Sequence, residues 1–182
     1  PFYADVRDGE YHAGLLTPPC GQFNPRRLAF PDERYPVLRT VVDFGMGLAG
    51  LSDRFQKSVD AVNVLAVRVC LIARRMFDLR RPWIIENPPT RGEATGVFRR
   101  CFRPSLQLHA GFFSLPCVQE LAAYTGAMFA HLAMCWFGMS EQKYLTFMKP
   151  PCMSAAMQCL LGITCIHTSQ ASIAGGFDAA GN

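Results

Sequence analysis

The sequence predicts an α/β fold with a mainly parallel sheet flanked by helices. Three observations predict it. An apolar run from Tyr11 to Leu16 stops at Thr17-Pro18-Pro19-Cys20, and a helical stretch then runs from Arg54 to Leu79. A second apolar run, Trp83 to Ile85, stops at Glu86-Asn87-Pro88-Pro89. Strand, long helix and strand together make the crossover unit from which parallel sheets are built.

Each element has its own signal. Tyr11 to Leu16 reads as a short buried strand. Gly21 to Asp53 is rich in Pro, Gly and Arg without a sustained period, so it reads as a long loop, and such loops are usually functional. In the helix, Val59, Val62, Leu65, Ala66, Val69, Ile72 and Met76 recur at helical spacing. Val62, Leu65, Val69 and Ile72 are expected to face the sheet, with Asp60 and Asn63 on a solvated side. Pro82 stops the helix, and Trp83 to Ile85 forms the second buried strand.

Beyond the crossover, a short helix is expected near Glu93 to Phe102 and another from Cys117 to Tyr124. Leu121 to Met139 carries no formal charge and has the length of a membrane span. It breaks at Gly126, however, and reads better as the end of that helix and a strand from Met128 to Cys135. A strand at Tyr144 to Met148, a short helix at Ser154 to Leu160 and a last strand at Ile163 to His167 complete the reading. The glycine-rich end, 176–182, reads as a flexible tail.

Composition bounds the function. The chain has 182 residues, of which 50% are hydrophobic and 18% charged, which is globular rather than disordered. Its net charge is +4, but 16 of its 18 basic residues lie at or before Arg103, and 15 of the 18 are arginine. A basic front half suits a polyanionic partner, and arginine suits phosphate and guanine contacts. Arginine occurs as adjacent pairs at Arg26-Arg27, Arg74-Arg75, Arg80-Arg81 and Arg99-Arg100; neighbours on a helix point to different faces, so part of this charge only meets solvent. The eight cysteines form no ladder of the secreted type and mostly sit among apolar residues, as reduced core thiols of an intracellular protein do. Cys159, Cys165 and His167 lack a paired C-x-x-C, so no metal is expected.

The two strand-end motifs carry the chemistry. In parallel sheets, function concentrates at the carboxyl ends of strands. Two prolines stiffen the loop that presents Cys20, which suits a nucleophile that must approach at one angle. A carboxylate such as Glu86, directly after Trp-Ile-Ile, is rare at a buried strand unless it is bonded or functional.

In this order the motifs resemble the DNA cytosine methyltransferases that act on carbon 5. The likeness is nearest to methylase-like domains of phage and retroelement polyproteins, and it spans most of Tyr11 to Gly175. It rests on Pro18-Pro19-Cys20, Glu86-Asn87-Pro88, the turn Cys135-Trp136-Phe137-Gly138 ahead of Gln142-Lys143-Tyr144, and Cys165-Ile166-His167. The resemblance implies a partial Rossmann-like methyltransferase fold, with 1–175 as the C-terminal catalytic portion. It implies Cys20 as the nucleophile at carbon 6 of a flipped cytosine and Glu86 as the group that holds and protonates the ring nitrogen. Asn87 would brace the loop, and Asn87, Gln142, Lys143, Arg26 and Arg27 are the expected nucleic-acid contacts. S-adenosylmethionine is the implied methyl donor, DNA or RNA the partner, and the nucleus the location if the source is eukaryotic.

The sequence departs from that family in three ways. No glycine-rich loop or acidic ribose ligand stands between Pro1 and Leu16, so no cofactor residue is assigned. The chain, which opens on Pro1, reads as part of a longer polypeptide whose N-terminal part would be a partner. The spacing from Cys20 to Glu86 is long, and Gln142-Lys143-Tyr144 carries lysine where the family has arginines. Two alternatives stand beside this reading. Asn87-Pro88-Pro89-Thr90 has three of the four residues of an adenine amino-methyltransferase loop, without the final aromatic. The arginine-rich half alone would suit a catalytically idle nucleic-acid-binding module. For Cys20 and Glu86 to act on one pyrimidine, thiol and carboxyl must lie on the order of 6–12 Å apart in one cleft.

Overall fold

The computed structural model describes residues 10–29, 31–138 and 143–164. Among them, four strands form one sheet: β1 (Gly14–Leu16), β2 (Trp83–Asn87), β3 (Met128–Ala133) and β4 (Tyr144–Lys149), in the order β1-β2-β4-β3. Three helices accompany it: α1 (Arg26–Ala29), α2 (Asp53–Asp78) and α3 (Pro116–Thr125).

β1 and β2 are parallel neighbours, with Gly14 opposite Trp83 and Leu16 opposite Ile85, and α2 connects them. β4 runs antiparallel to both β2 and β3. The expectation of a mainly parallel sheet is therefore corrected: the fold is mixed α/β and only one of the three pairings is parallel. The reason is the short connection between β3 and β4, which can only make a hairpin, whereas parallel neighbours need a crossover. β1, β2 and β3 still share one direction, and β4 alone is reversed.

β1 is shorter and less buried than its sequence suggests. It spans three residues, and Leu15 is 65% exposed. On β2 the strand continues past Ile85, because Glu86 pairs with Phe147 and Asn87 with Thr146. Glu86-Asn87 is thus ladder rather than loop. Alternation along β2 buries Trp83, Ile85 and Asn87 on one face and leaves Ile84 and Glu86 half-buried on the other.

α2 covers the first of those faces. Asp53 in its first turn and Arg75 in its last match the helix dipole. Its core seam is Ala66, Val69, Cys70, Ile72, Ala73 and Met76, packed with Trp83, Ile85 and Met148. Val62 and Leu65, expected at the centre, are only half-buried, because small Ala66 and Ala73 let the helix approach closely along their side. Asn63, expected in solvent, accepts a hydrogen bond from Arg39 at 2.7 Å and donates to the Met46 carbonyl at 2.8 Å. α3 starts on Pro116 and ends at Gly126, whose φ of 61° closes the helix before β3. No helix among the described residues is long and apolar enough to cross a membrane.

Phenylalanines complete the core. Phe112 meets Phe23 at 5.6 Å and Phe113 at 5.7 Å between centroids, and Phe113 meets Phe129 of β3 at 5.5 Å, all edge to face. The remaining elements are tighter than expected. The helix near Glu93 is a 3-10 turn, Gly96–Cys101, and the one near Ser154 is two such turns, Pro151–Met153 and Gln158–Leu160. Cys135 belongs to the 3-10 turn Met134–Phe137 rather than to β3. The long loop holds a 3-10 turn, Gly21–Phe23, and α1. Ile163 and Thr164 form no strand, and Cys165 to His167 lie outside the described residues, as does the tail.

Gly92 marks the tightest backbone approach. A Cβ there would stand 2.6 Å from the Gln107 carbonyl oxygen and 2.8 Å from that of His109. A Cβ on Gly21 would meet nothing within 4 Å. Gly92→Ala is expected to cost about 1–3 kcal/mol in chemical denaturation, and Gly21→Ala less than about 0.5 kcal/mol.

Candidate active site at the strand ends

Because β1 and β2 are parallel neighbours, their carboxyl ends lie at one edge of the sheet. The Cys20 loop leaves that edge from β1, and Glu86-Asn87 ends β2 there. β4 begins and β3 ends at the same edge, since Ala133 pairs with Tyr144. The Cys20 loop, Glu86-Asn87 and both ends of the β3–β4 connection therefore lie along one edge of the sheet.

Cys20 is exposed and precedes the 3-10 turn Gly21–Phe23, in which the Phe23 amide donates to the Cys20 carbonyl at 2.9 Å. That turn is fastened from inside. Phe23 is fully buried, and its carbonyl oxygen lies 2.8 Å from His109 Nε2. Gln22 donates to the Ser58 carbonyl at 2.8 Å and to its hydroxyl at 2.7 Å. The Gln22 side-chain oxygen in turn accepts from Arg39 at 2.8 and 3.2 Å.

Arg39 is the hub of this network, and the sequence did not single it out. It is 4% exposed and lies over the Phe23 ring at 4.9 Å. It donates to Gln22, to Asn63, to the Gly45 carbonyl and to the Val59 carbonyl. Burial pushes its pKa down to about 10, with Asp43 and then Asp60 opposing, so it stays charged at neutral pH. An arginine inside an irregular loop gives no periodic signal of burial, which is why it passes for a solvated charge.

His109 is the second hidden support. Its Nδ1 accepts the Arg91 amide at 3.0 Å, which leaves Nε2–H to donate to Phe23. Burial, opposed by the Phe23 bond, lowers its pKa to about 4. It is a neutral clamp.

Asn87 couples the two motifs. Its side chain is 0% exposed and its Nδ2 donates to the Pro18 carbonyl at 2.9 Å, across the parallel pair. Its Oδ1 has no hydrogen-bond partner among the described residues. The amide thus braces the Pro-Pro-Cys loop from the buried side of the sheet, without reaching solvent to touch a nucleic acid.

Glu86 faces the other side of the sheet. Burial raises its pKa from the ordinary value, and the Lys143 charge opposes that shift. Lys143 stands just ahead of β4, and its carbonyl accepts the Met134 amide at 2.7 Å. Gln142 lies outside the described residues. So does the Arg26 side chain, although its backbone opens α1. Arg27 is spent on the loop itself: it donates to the Gly21 carbonyl at 3.0 Å and the Pro36 carbonyl at 3.3 Å, and stands over Tyr35 at 5.5 Å.

The turn between β3 and β4 adds two residues to the rim. Trp136 and Phe137 are 59% and 58% exposed in the 3-10 turn after β3, which Gly138 closes with a φ of 92° that favours glycine. The sequence showed the turn motif, but not that both rings face water. No group of three or more His, Cys, Asp or Glu that could hold a metal occurs among the described residues. No protein-family profile, curated protein or solved structure matches the chain.

The clamp has a pH signature. The pKa of His109 in the fold lies below its unfolded value of 6.5, so its stabilisation is complete above pH 6.5 and is lost as pH falls towards 4. His131, also lowered by burial, adds to this loss, whereas the raised Glu86 opposes it. Unfolding free energy measured in urea should drop by about 3 kcal/mol on account of His109 alone. His109→Gln should flatten that acid limb.

Proposed function

We propose that the chain is a DNA cytosine methyltransferase-like domain in which Cys20 and Glu86 act on one extruded cytosine. The observation that carries this reading is a half-buried carboxyl with a raised pKa at the end of the strand beside the one that delivers an exposed thiol. The chemistry needs that pairing. Carbon 5 of cytosine is a poor nucleophile until a thiolate adds at carbon 6. The S–C6 bond forms, and the C5=C6 electron pair moves towards the ring nitrogen. Glu86, protonated, donates there and neutralises the developing charge. Carbon 5 then becomes enamine-like. Reversal expels the Cys20 thiolate and restores the ring.

The mixed sheet is compatible with a partial Rossmann-like fold, since doubly wound sheets often carry one reversed strand, as β4 is here. Trp136 and Phe137 would stack on bases beside the extruded one. Lys143, Gln142 and Arg26 would meet the nucleotide or its phosphates, and Arg27 acts by holding the Cys20 loop. Asn87 serves as a brace. Its full burial disfavours the adenine amino-methyltransferase reading, in which that amide must reach the base.

S-adenosylmethionine would supply the methyl group, but the described residues do not fit it. Among the described residues 10–19 there is no glycine-rich cradle, and the one acidic residue there, Glu10, lies beyond the opposite end of β1. The derivation therefore ends at the covalent adduct.

Adduct formation has a readout that needs no methyl donor: exchange of the cytosine carbon-5 hydrogen with solvent in an oligonucleotide. Cys20→Ala should reduce exchange to background, and Glu86→Gln should slow it by about 10²–10⁴-fold. A wild-type protein that binds the oligonucleotide without exchange would overturn the catalytic reading. The second reading, an idle nucleic-acid-binding module, is favoured by the exposed aromatic pair, which requires no thiol. Under either reading, Trp136→Ala should weaken single-strand binding by about 1–3 kcal/mol in a salt-controlled titration.

A further inference from the structure

Away from the strand ends, two cysteines meet between α2 and α3. Cys70 lies in the buried seam of α2, and Cys117 is the second residue of α3. Their thiols are hydrogen-bonded to each other, and neither is in a disulfide. Both line one cavity of about 140 Å³, with Leu71 and Leu121 as apolar walls and Arg74 and Glu120 at its polar part. The cavity is open to solvent and large enough for a small hydroperoxide and a few waters.

The two sulfurs are chemically unequal. Cys117 is half-buried in the first turn of α3 whereas Cys70 is buried, and the hydrogen bond with Cys70 and the backbone of that turn both favour the Cys117 anion. Together they lower the Cys117 pKa against burial and against Glu120. Cys70 is pushed up, first by that same hydrogen bond and then by burial. The charged groups facing the pair are Arg74 from α2 and Glu120 from α3. Arg74 is held over the Tyr124 ring at 4.1 Å.

We propose that Cys117 is a hydroperoxide-reactive thiol and Cys70 its resolving partner, so that oxidation joins α2 to α3 by a disulfide. In the first step the Cys117 thiolate attacks one peroxide oxygen. The S–O bond forms, the O–O bond breaks, and the alcohol or water leaves with a proton. In the second, Cys70 loses its proton and attacks the Cys117 sulfur. The S–S bond forms, and the sulfenic oxygen departs as water. Two thiols are oxidised by two electrons and one hydroperoxide is reduced.

The test uses the reduced whole chain at neutral pH with limiting hydrogen peroxide, followed by peptide mapping. Cys70–Cys117 should be the first disulfide to appear and should raise Tm by up to about 10 °C. In Cys70→Ser, Cys117 should stop at a dimedone-reactive sulfenic acid. In the unmutated protein, where folding is not in question, iodoacetamide should modify Cys117 with a pH midpoint below that of an ordinary thiol. The proposal is overturned if peroxide oxidises the exposed Cys20, Cys152 and Cys159 while Cys70 and Cys117 remain alkylatable. It is equally overturned if the Cys117 midpoint is that of an ordinary thiol.

Discussion

The buried guanidinium of Arg39 is the interaction on which the strand-end architecture depends. A charge so enclosed is tolerable only when its donors are matched, and here Gln22, Asn63 and the carbonyls of Gly45 and Val59 match them. Those acceptors come from three places: the turn after Cys20, the helix α2 and the irregular segment between them. One cation therefore holds together what would otherwise be a long unanchored loop. The Cys20 loop inherits its shape from that network, from the His109 clamp on Phe23 and from the Asn87 bond to Pro18.

The consequences run outward from the sheet. The parallel pairing of β1 and β2 sets two motifs, far apart in sequence, at one edge. The β3–β4 hairpin returns to the same edge, where the Lys143 charge acts on Glu86. Alternation on β2 then divides the labour between neighbours. Asn87 turns inward and braces, while Glu86 turns to the other face, where partial burial favours its protonated form. A braced thiol loop and a carboxyl whose pKa is raised by burial are what conjugate addition to a pyrimidine would draw on.

The crossover was legible because its signals are periodic: α2 is within a residue of its expected bounds, and β1, β2, β3 and β4 lie where apolar runs end at Pro or Gly. Sheet direction was less legible. Whether two strands run parallel depends on the connection between them, and apolar runs alone carry no sign of direction. Glu86-Asn87 looked like loop because it abuts Pro88-Pro89, yet pairing with Phe147 and Thr146 extends the strand through both. The long loop hid most. Arg39 and His109 are buried and Asn63 half-buried, all three held by specific hydrogen bonds, and neither propensity nor periodicity encodes such bonds. Cys70 and Cys117 did read as apolar-context thiols, but their contact arises only from how α3 packs on α2.

The central claim is that the exposed thiol at the end of β1 adds to a pyrimidine ring. The most direct test is an oligonucleotide carrying 2-pyrimidinone in place of cytosine, a ring that accepts thiols readily at carbon 6. After incubation, a denaturing gel and peptide mass spectrometry locate any adduct. The account predicts a covalent complex linked through Cys20 and dependent on Glu86. Binding of the oligonucleotide with no adduct, or with adduct only at another exposed thiol such as Cys152 or Cys159, would contradict it.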